Sequence, residues 1–127
     1  MSEVSTFLRF CLVGAIGFAV DAGCTLAFTQ LLAWHPGLSR VLAFTLAAST
    51  TWFWNRRFTF RSSAGGRTWL PYVLLTAFGA MVNFAVYLAW LGVFGTGPID
   101  IFLGVASGSA AALAMNYAIS RRYVFAA

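Results

Sequence analysis

The chain has 127 residues, of which 61% are hydrophobic and 9% charged, and its mean hydropathy is +0.82. A soluble domain averages about 45–50% apolar and about 25% charged residues, and short domains bury the smallest share of their surface, so the solvent here is lipid rather than water. The net charge of +5 comes from eight arginines, no lysine and three acids; the length excludes a large transporter or a multidomain enzyme, and arginines that punctuate apolar runs indicate membrane topology and anionic lipid, not nucleic acid.

Four stretches have the length for a span, which takes about 20 residues. The first runs from about Phe10 to Ala33 and the second from about Leu38 to Trp54, closed by Asn55-Arg56-Arg57. The third runs from about Leu70 to Phe94, and the fourth from about Ile99 to Ile119, closed by Arg121-Arg122. Backbone groups in hydrocarbon must bond within their own segment, which makes these spans helices. Pro36, Pro71 and Pro98 stand at or near the starts, where a missing N–H costs nothing. Arg40 falls a few residues into the second span, and a long stem lets its guanidinium extend to the headgroups. Glu3 and Asp21 argue against reading the first stretch as a cleaved signal peptide.

Arginine placement sets the orientation. Arg9, the middle loop's Arg56, Arg57, Arg61 and Arg67, and the terminal Arg121 and Arg122 fall on one side, leaving Arg40 alone on the other. The positive side is cytoplasmic, so both termini are expected inside. Trp52, Trp54, Trp69 and Tyr72 mark that interface and Trp34 the opposite one. The whole of 1–127 reads as a single membrane domain: an all-α protein of four transmembrane helices.

The halves resemble each other. An offset of 62 places Gly17 on Gly79, Val20 on Val82, Asp21 on Asn83 and Pro36 on Pro98. An offset of 65 places Arg56-Arg57-Phe58-Thr59-Phe60 on Arg121-Arg122-Tyr123-Val124-Phe125. Two helical hairpins, about 7–60 and about 68–125, follow as parallel repeats related by an axis along the membrane normal.

Candidate functional residues are few. The pairs Arg56-Arg57 and Arg121-Arg122 serve the topology signal, and guanidinium pairs also clamp phosphate through charge-assisted bonds. Asp21 lies near mid-span, where an acid costs about 2.5–3.5 kcal/mol and must face protein or water. It is open to three readings: a hydrogen bond to its repeat partner Asn83, a sugar-hydroxyl ligand, or a proton-coupled carboxylate. Asn116, with Thr51 at the matching place in the second helix, is open to two readings: lining a polar vestibule beneath the arginines, or capping backbone and bonding across helices. Gly14, Gly17 and Gly79 let helices approach or leave room for a headgroup, and Gly104-x-x-x-Gly108 is a small-residue packing surface. No triad, metal-ligand cluster or Gly-rich phosphate loop can be traced, so neither catalysis nor a cofactor or metal is expected.

The start Phe7-Leu8-Arg9-Phe10-Cys11-Leu12-Val13-Gly14, the intramembrane Asp21, Asn55-Arg56-Arg57-Phe58-Thr59-Phe60, and the ending Asn116 with Ser120-Arg121-Arg122-Tyr123-Val124-Phe125 resemble the GtrA-like family. That family more often has Trp where this chain has Phe58, and Asn where it has Ser120. The resemblance implies a small four-helix inner-membrane protein of cell-surface polysaccharide synthesis. It implies flipping of a polyprenyl-phosphate-linked sugar from the cytoplasmic to the outer leaflet, beside a partner membrane glycosyltransferase. On that reading Arg56, Arg57, Arg121 and Arg122 hold the lipid phosphate, and Asp21, Asn83, Asn116 and Asn55 line the sugar's path. Four helices are few for a sealed path, so a homo-oligomer or a partner is expected to complete it. The competing class is a non-transporting adaptor that recruits or orients a glycosyltransferase, and a third is a small proton-coupled exporter using Asp21.

Overall fold

The computed structural model describes residues 2–126. Four long helices follow one another: α1 (Glu3–Leu26), α2 (Pro36–Trp54), α3 (Trp69–Phe94) and α4 (Pro98–Ile119). Helix α1 begins before the apolar run does, because Ser2 caps it, its hydroxyl accepting from Ser5 N–H at 3.1 Å, and Glu3 complements the first-turn dipole. Pro98 opens α4 just after Gly97. Gly95 ends α3 at φ 113°, a conformation that costs glycine nothing.

Three helices end in a π turn: Ala27–Leu31 after α1, Asn55–Thr59 after α2, and Ser120–Val124 after α4. In the last two the closing bonds run from Phe60 N–H to the Asn55 carbonyl at 2.8 Å and from Phe125 N–H to the Ser120 carbonyl at 2.9 Å. These two turns stand 65 positions apart, the offset that aligns the two arginine endings. π turns are rare and cluster at functional sites, since the wider turn redirects the side chains that follow.

Glu3–Leu31, Gly66–Phe94 and Pro98–Val124 are long and apolar enough to cross a membrane. Among the described residues α2 is not, although the sequence reading has it as a span: Ser39, Arg40 and the Ser49-Thr50-Thr51 run dilute its apolar content. It nevertheless retraces α1. Arg9 meets Phe58 near one end, Gly17 meets Thr51 further along, and Asp21 meets Arg40 toward the other. In the same way α4 retraces α3 through Asn116 on Gly79, Gly108 on Asn83, and Gly104 on Tyr87 and Trp90.

The matched glycines explain how closely the helices approach. A Cβ on Gly17 would overlap the Thr51 side chain, and one on Gly79 would overlap Asn116, which is Thr51 shifted by 65. Gly108 is tighter still, because a Cβ there would meet the backbone of Asn83. Gly14 has open space around it, so the packing role read for it from the sequence falls to Gly17 instead.

The two hairpins join at the arginine end through an aromatic cluster. Phe60 stacks on its repeat partner Phe125 with ring centres 5.3 Å apart, Tyr72 sits 5.6 Å from Phe125, and Phe10 sits 5.4 Å from Tyr117. Contacts of this kind contribute about 0.5–1.5 kcal/mol beyond the area they bury. Tyr72 is 5% exposed, so it belongs to this cluster and is not the interface marker expected from the sequence.

Candidate arginine site at the joined end

A buried polar network carries the first arginine pair. Asn55 is 1% exposed; its Nδ2 donates to Tyr72 Oη at 2.9 Å, and its Oδ1 accepts from Thr59 Oγ1 at 2.7 Å. Tyr72 passes its own proton to Thr51 Oγ1 at 2.9 Å. The chain of bonds ties the end of α2 to α3, and a network satisfied at every member fixes one geometry for the turn it holds. Trp52 Nε1 to Thr68 Oγ1 at 2.9 Å and Trp69 Nε1 to Ser49 Oγ at 2.8 Å lock the same two helices at their edges.

From that anchored turn Arg56 and Arg57 project outward. Arg56 lies 5.1 Å over the Trp52 ring and donates to the Ala64 carbonyl at 3.1 Å; Arg57 lies 5.5 Å over Phe53. Arg61 has φ 47°, a left-handed conformation uncommon for a residue with a Cβ. The bond from Ser62 N–H to the Arg56 carbonyl at 2.8 Å closes this reversal. Arg56, Arg57, Arg61 and Ser62 then line one open cleft of about 440 Å³. Three arginines around one concavity bring together planar donor forks of the kind that suit phosphate or carboxylate oxygens. Arg56 Nε is buried with no acceptor of its own.

The second arginine pair lies elsewhere. Arg121 pairs with Glu3 at 2.6 Å, and Tyr117 Oη donates to the other Glu3 oxygen at 3.3 Å. Arg122 lies 5.8 Å over Tyr123. Both partners of the Glu3–Arg121 pair are more than half exposed, which leaves it worth at most about 1 kcal/mol in water. The four arginines read together from the sequence as one phosphate clamp are thus divided: Arg56 and Arg57 share their cleft with Arg61, while Arg121 shares a cleft with Glu3 and Tyr117.

The polar residues inside the bundle are dispersed as well. Asp21 accepts from Arg40 Nη1 at 3.0 Å, and the same nitrogen donates to Thr25 Oγ1 at 3.2 Å. Arg40, which the sequence reading sent to the headgroups, is tied to α1 by these bonds while its side chain stays 59% exposed. The bond expected between Asp21 and Asn83 is replaced by this ion pair, because each of the two residues faces the helix of its own hairpin. Asn83 lines a cleft of about 280 Å³ with Ala80, Phe84, Tyr87 and Val105. Asn116 is half-buried against Gly79 with its Oδ1 unpaired, and Asn55 is spent on the network above. Arg61, Tyr72 and Thr59 escaped sequence reasoning as site residues. Arg61 offered only its charge and Tyr72's partners lie 17 and 21 positions away, whereas Thr59 stands four from Asn55, a spacing that could have flagged it.

A family model described as GtrA/DPMS, transmembrane domain, matches residues 9–125. The chain belongs to this family. The match runs from Arg9 near the start of α1 to Phe125 in the aromatic cluster, so it takes in both hairpins of this GtrA/DPMS membrane protein. No curated protein matches the chain.

Proposed function

We propose that this protein flips a polyprenyl-phosphate-linked sugar from the cytoplasmic to the outer leaflet of the inner membrane, without catalysing a reaction itself, to supply polysaccharide or cell-wall glycosylation. All four helices cross the membrane, with both termini and the arginine end in the cytoplasm. Membership of a family named for a glycosylation-related membrane domain supports the substrate class.

The cleft of Arg56, Arg57 and Arg61 is the observation that carries this reading. It sits at the mouth of the hairpins, on a turn fixed by Asn55 and Tyr72, where a lipid phosphate lies when its tail is in the bilayer. Arg121 and Arg122 widen the positive face on the α4 side. Moving the headgroup inward requires replacing its water with fixed polar groups, since an unpaired polar group in hydrocarbon costs several kcal/mol. Asp21, Asn83 and Asn116 are polar groups spread between the two ends, and a homo-oligomer or a membrane glycosyltransferase partner brings them onto one route.

Proteoliposomes carrying a fluorescent polyprenyl-phosphate sugar test the proposal through the rate at which the probe becomes accessible to a membrane-impermeant quencher. Exchange well above that of empty vesicles, and lost in Arg57→Gln, is expected; exchange at the empty-vesicle rate sinks it. A second reading, an adaptor that recruits or orients a glycosyltransferase, is favoured by one feature. Phe60, Phe125 and Tyr72 close the space beneath the arginines in a single chain. Retained glycosyltransferase co-purification without any leaflet exchange would favour it.

A further inference from the structure

We propose that Arg40 forms a second phosphate-binding site at the arginine-poor end, taking over the phosphate of the same lipid once it has left the Arg56–Arg57–Arg61 cleft; this rests on the lipid-phosphate reading of that cleft. Arg40 lies in the second turn of α2, about 6 Å along the axis from Pro36, and seventeen residues, about 25 Å, from Arg57. That separation approaches the ~30 Å of bilayer hydrocarbon, so the two sites serve opposite leaflets.

The geometry of the ion pair leaves Arg40 donors for an anion. Arg40's side chain is 59% exposed and Asp21's is 24% exposed, so the carboxylate is the inner member and the cation faces outward. A guanidinium turned toward hydrocarbon is expensive, and the acceptors available at the end of a span are lipid phosphates. Its bonds to Asp21 and Thr25 both leave from Nη1, and a planar fork with five donors can keep a carboxylate on one edge and take a phosphate oxygen on another. An arginine that merely reached for the interface would need neither Asp21 nor Thr25 to hold it. The pair also provides for release. Asp21 competes with the phosphate for the same guanidinium, which keeps the affinity moderate, as a receiving site requires.

Native mass spectrometry of the full chain in detergent, with polyprenyl phosphate, phosphatidylglycerol or inorganic phosphate as probe, tests this. Wild type is expected to hold two polyprenyl phosphates, Arg57→Gln and Arg40→Gln one each. Asp21→Asn keeps both and binds the second about tenfold more tightly, the size of one charge-assisted hydrogen bond. Arg40→Gln retaining both, or Asp21→Asn losing one as Arg40→Gln does, overturns the proposal and makes the pair a structural tie. Loss in Arg40→Gln with both retained in Arg57→Gln keeps the far site and removes the cleft reading instead. Phosphatidylglycerol or inorganic phosphate displacing the probe from Arg40 at equal concentration overturns its assignment to the carried lipid. If circular dichroism shows Arg40→Gln to be misfolded, Asp21→Asn, which keeps the cation, decides by the direction of its effect.

Discussion

The two hairpins place the same positions together and fill them differently. In the first, Asp21 meets Arg40; the corresponding positions in the second, at offsets of 62 and 65, hold Asn83 and Val105 on the rim of a small cleft. In the first, Thr51 joins a satisfied network with Tyr72 and Asn55, whereas its counterpart Asn116 keeps an unpaired Oδ1. At the arginine end Arg56 and Arg57 open onto a cleft, while Arg121 is closed off by Glu3. The first hairpin adds the Arg40–Asp21 ion pair and the Arg9 bond to the Phe58 carbonyl to its close approach at Gly17. The second relies on close approach at Gly79, Gly104 and Gly108, the first two against side chains and Gly108 against the Asn83 backbone. A polar tie fixes register, and a small residue allows close approach.

The sharpest way to break the comparison is to transplant the ion pair. Asn83→Asp places an acid against Val105 with no cation nearby, and is expected to cost about 2.5–3.5 kcal/mol if it ionises near mid-bilayer. Adding Val105→Arg should recover much of that loss in a double-mutant cycle read by thermal unfolding in detergent. Failure of the double variant to recover would mean that the offsets do not relate equivalent sites. Next in size is Gly108→Ala. The new methyl meets the Asn83 backbone, which cannot turn aside, so destabilisation of about 1–3 kcal/mol is expected. Gly14→Ala, with open space around it, should leave the melting temperature unchanged.

Tyr72→Phe sharpens the contrast between satisfied and unsatisfied networks. It leaves the Asn55 amide and the Thr51 hydroxyl without their shared partner, at about 1–2 kcal/mol, and should weaken phosphate binding by disordering the turn under Arg56. Asn116→Ala, whose Oδ1 has no partner to lose, should cost clearly less. The smallest effect is expected of Glu3→Gln. Freeing Arg121 changes stability by less than about 1 kcal/mol, but should raise the affinity for anionic vesicles at low salt and lose that gain at high salt.

Much of this architecture was legible in the chain. Apolar runs, prolines at helix starts and arginine-closed ends give α2, α3 and α4 starts within two residues of those observed, whereas α1 begins seven residues earlier because Ser2 caps it. The paired endings were aligned from the sequence, and the structure adds a π turn at each and a stack of Phe60 on Phe125. The second helix was the harder case, because length alone qualified it and its Ser, Thr and Arg content did not. Arg56 and Arg57, singled out as a pair from the sequence, do line one cleft together. Arg61 was not singled out, since its left-handed turn back toward them is a property of the loop's closure and not of any local pattern.

What the residues settled by themselves is the solvent, the helices and their ends, because hydropathy, caps and charge act over a few positions along one strand of chain. Which polar groups meet was decided only in three dimensions. Asp21 chose Arg40 over Asn83, Arg121 chose Glu3 over its sister pair, and Asn55 was spent on Tyr72. The physical reason is that a buried or membrane-embedded polar group takes whichever partner the packing brings within about 3 Å, and that packing was set by where a glycine let two helices touch.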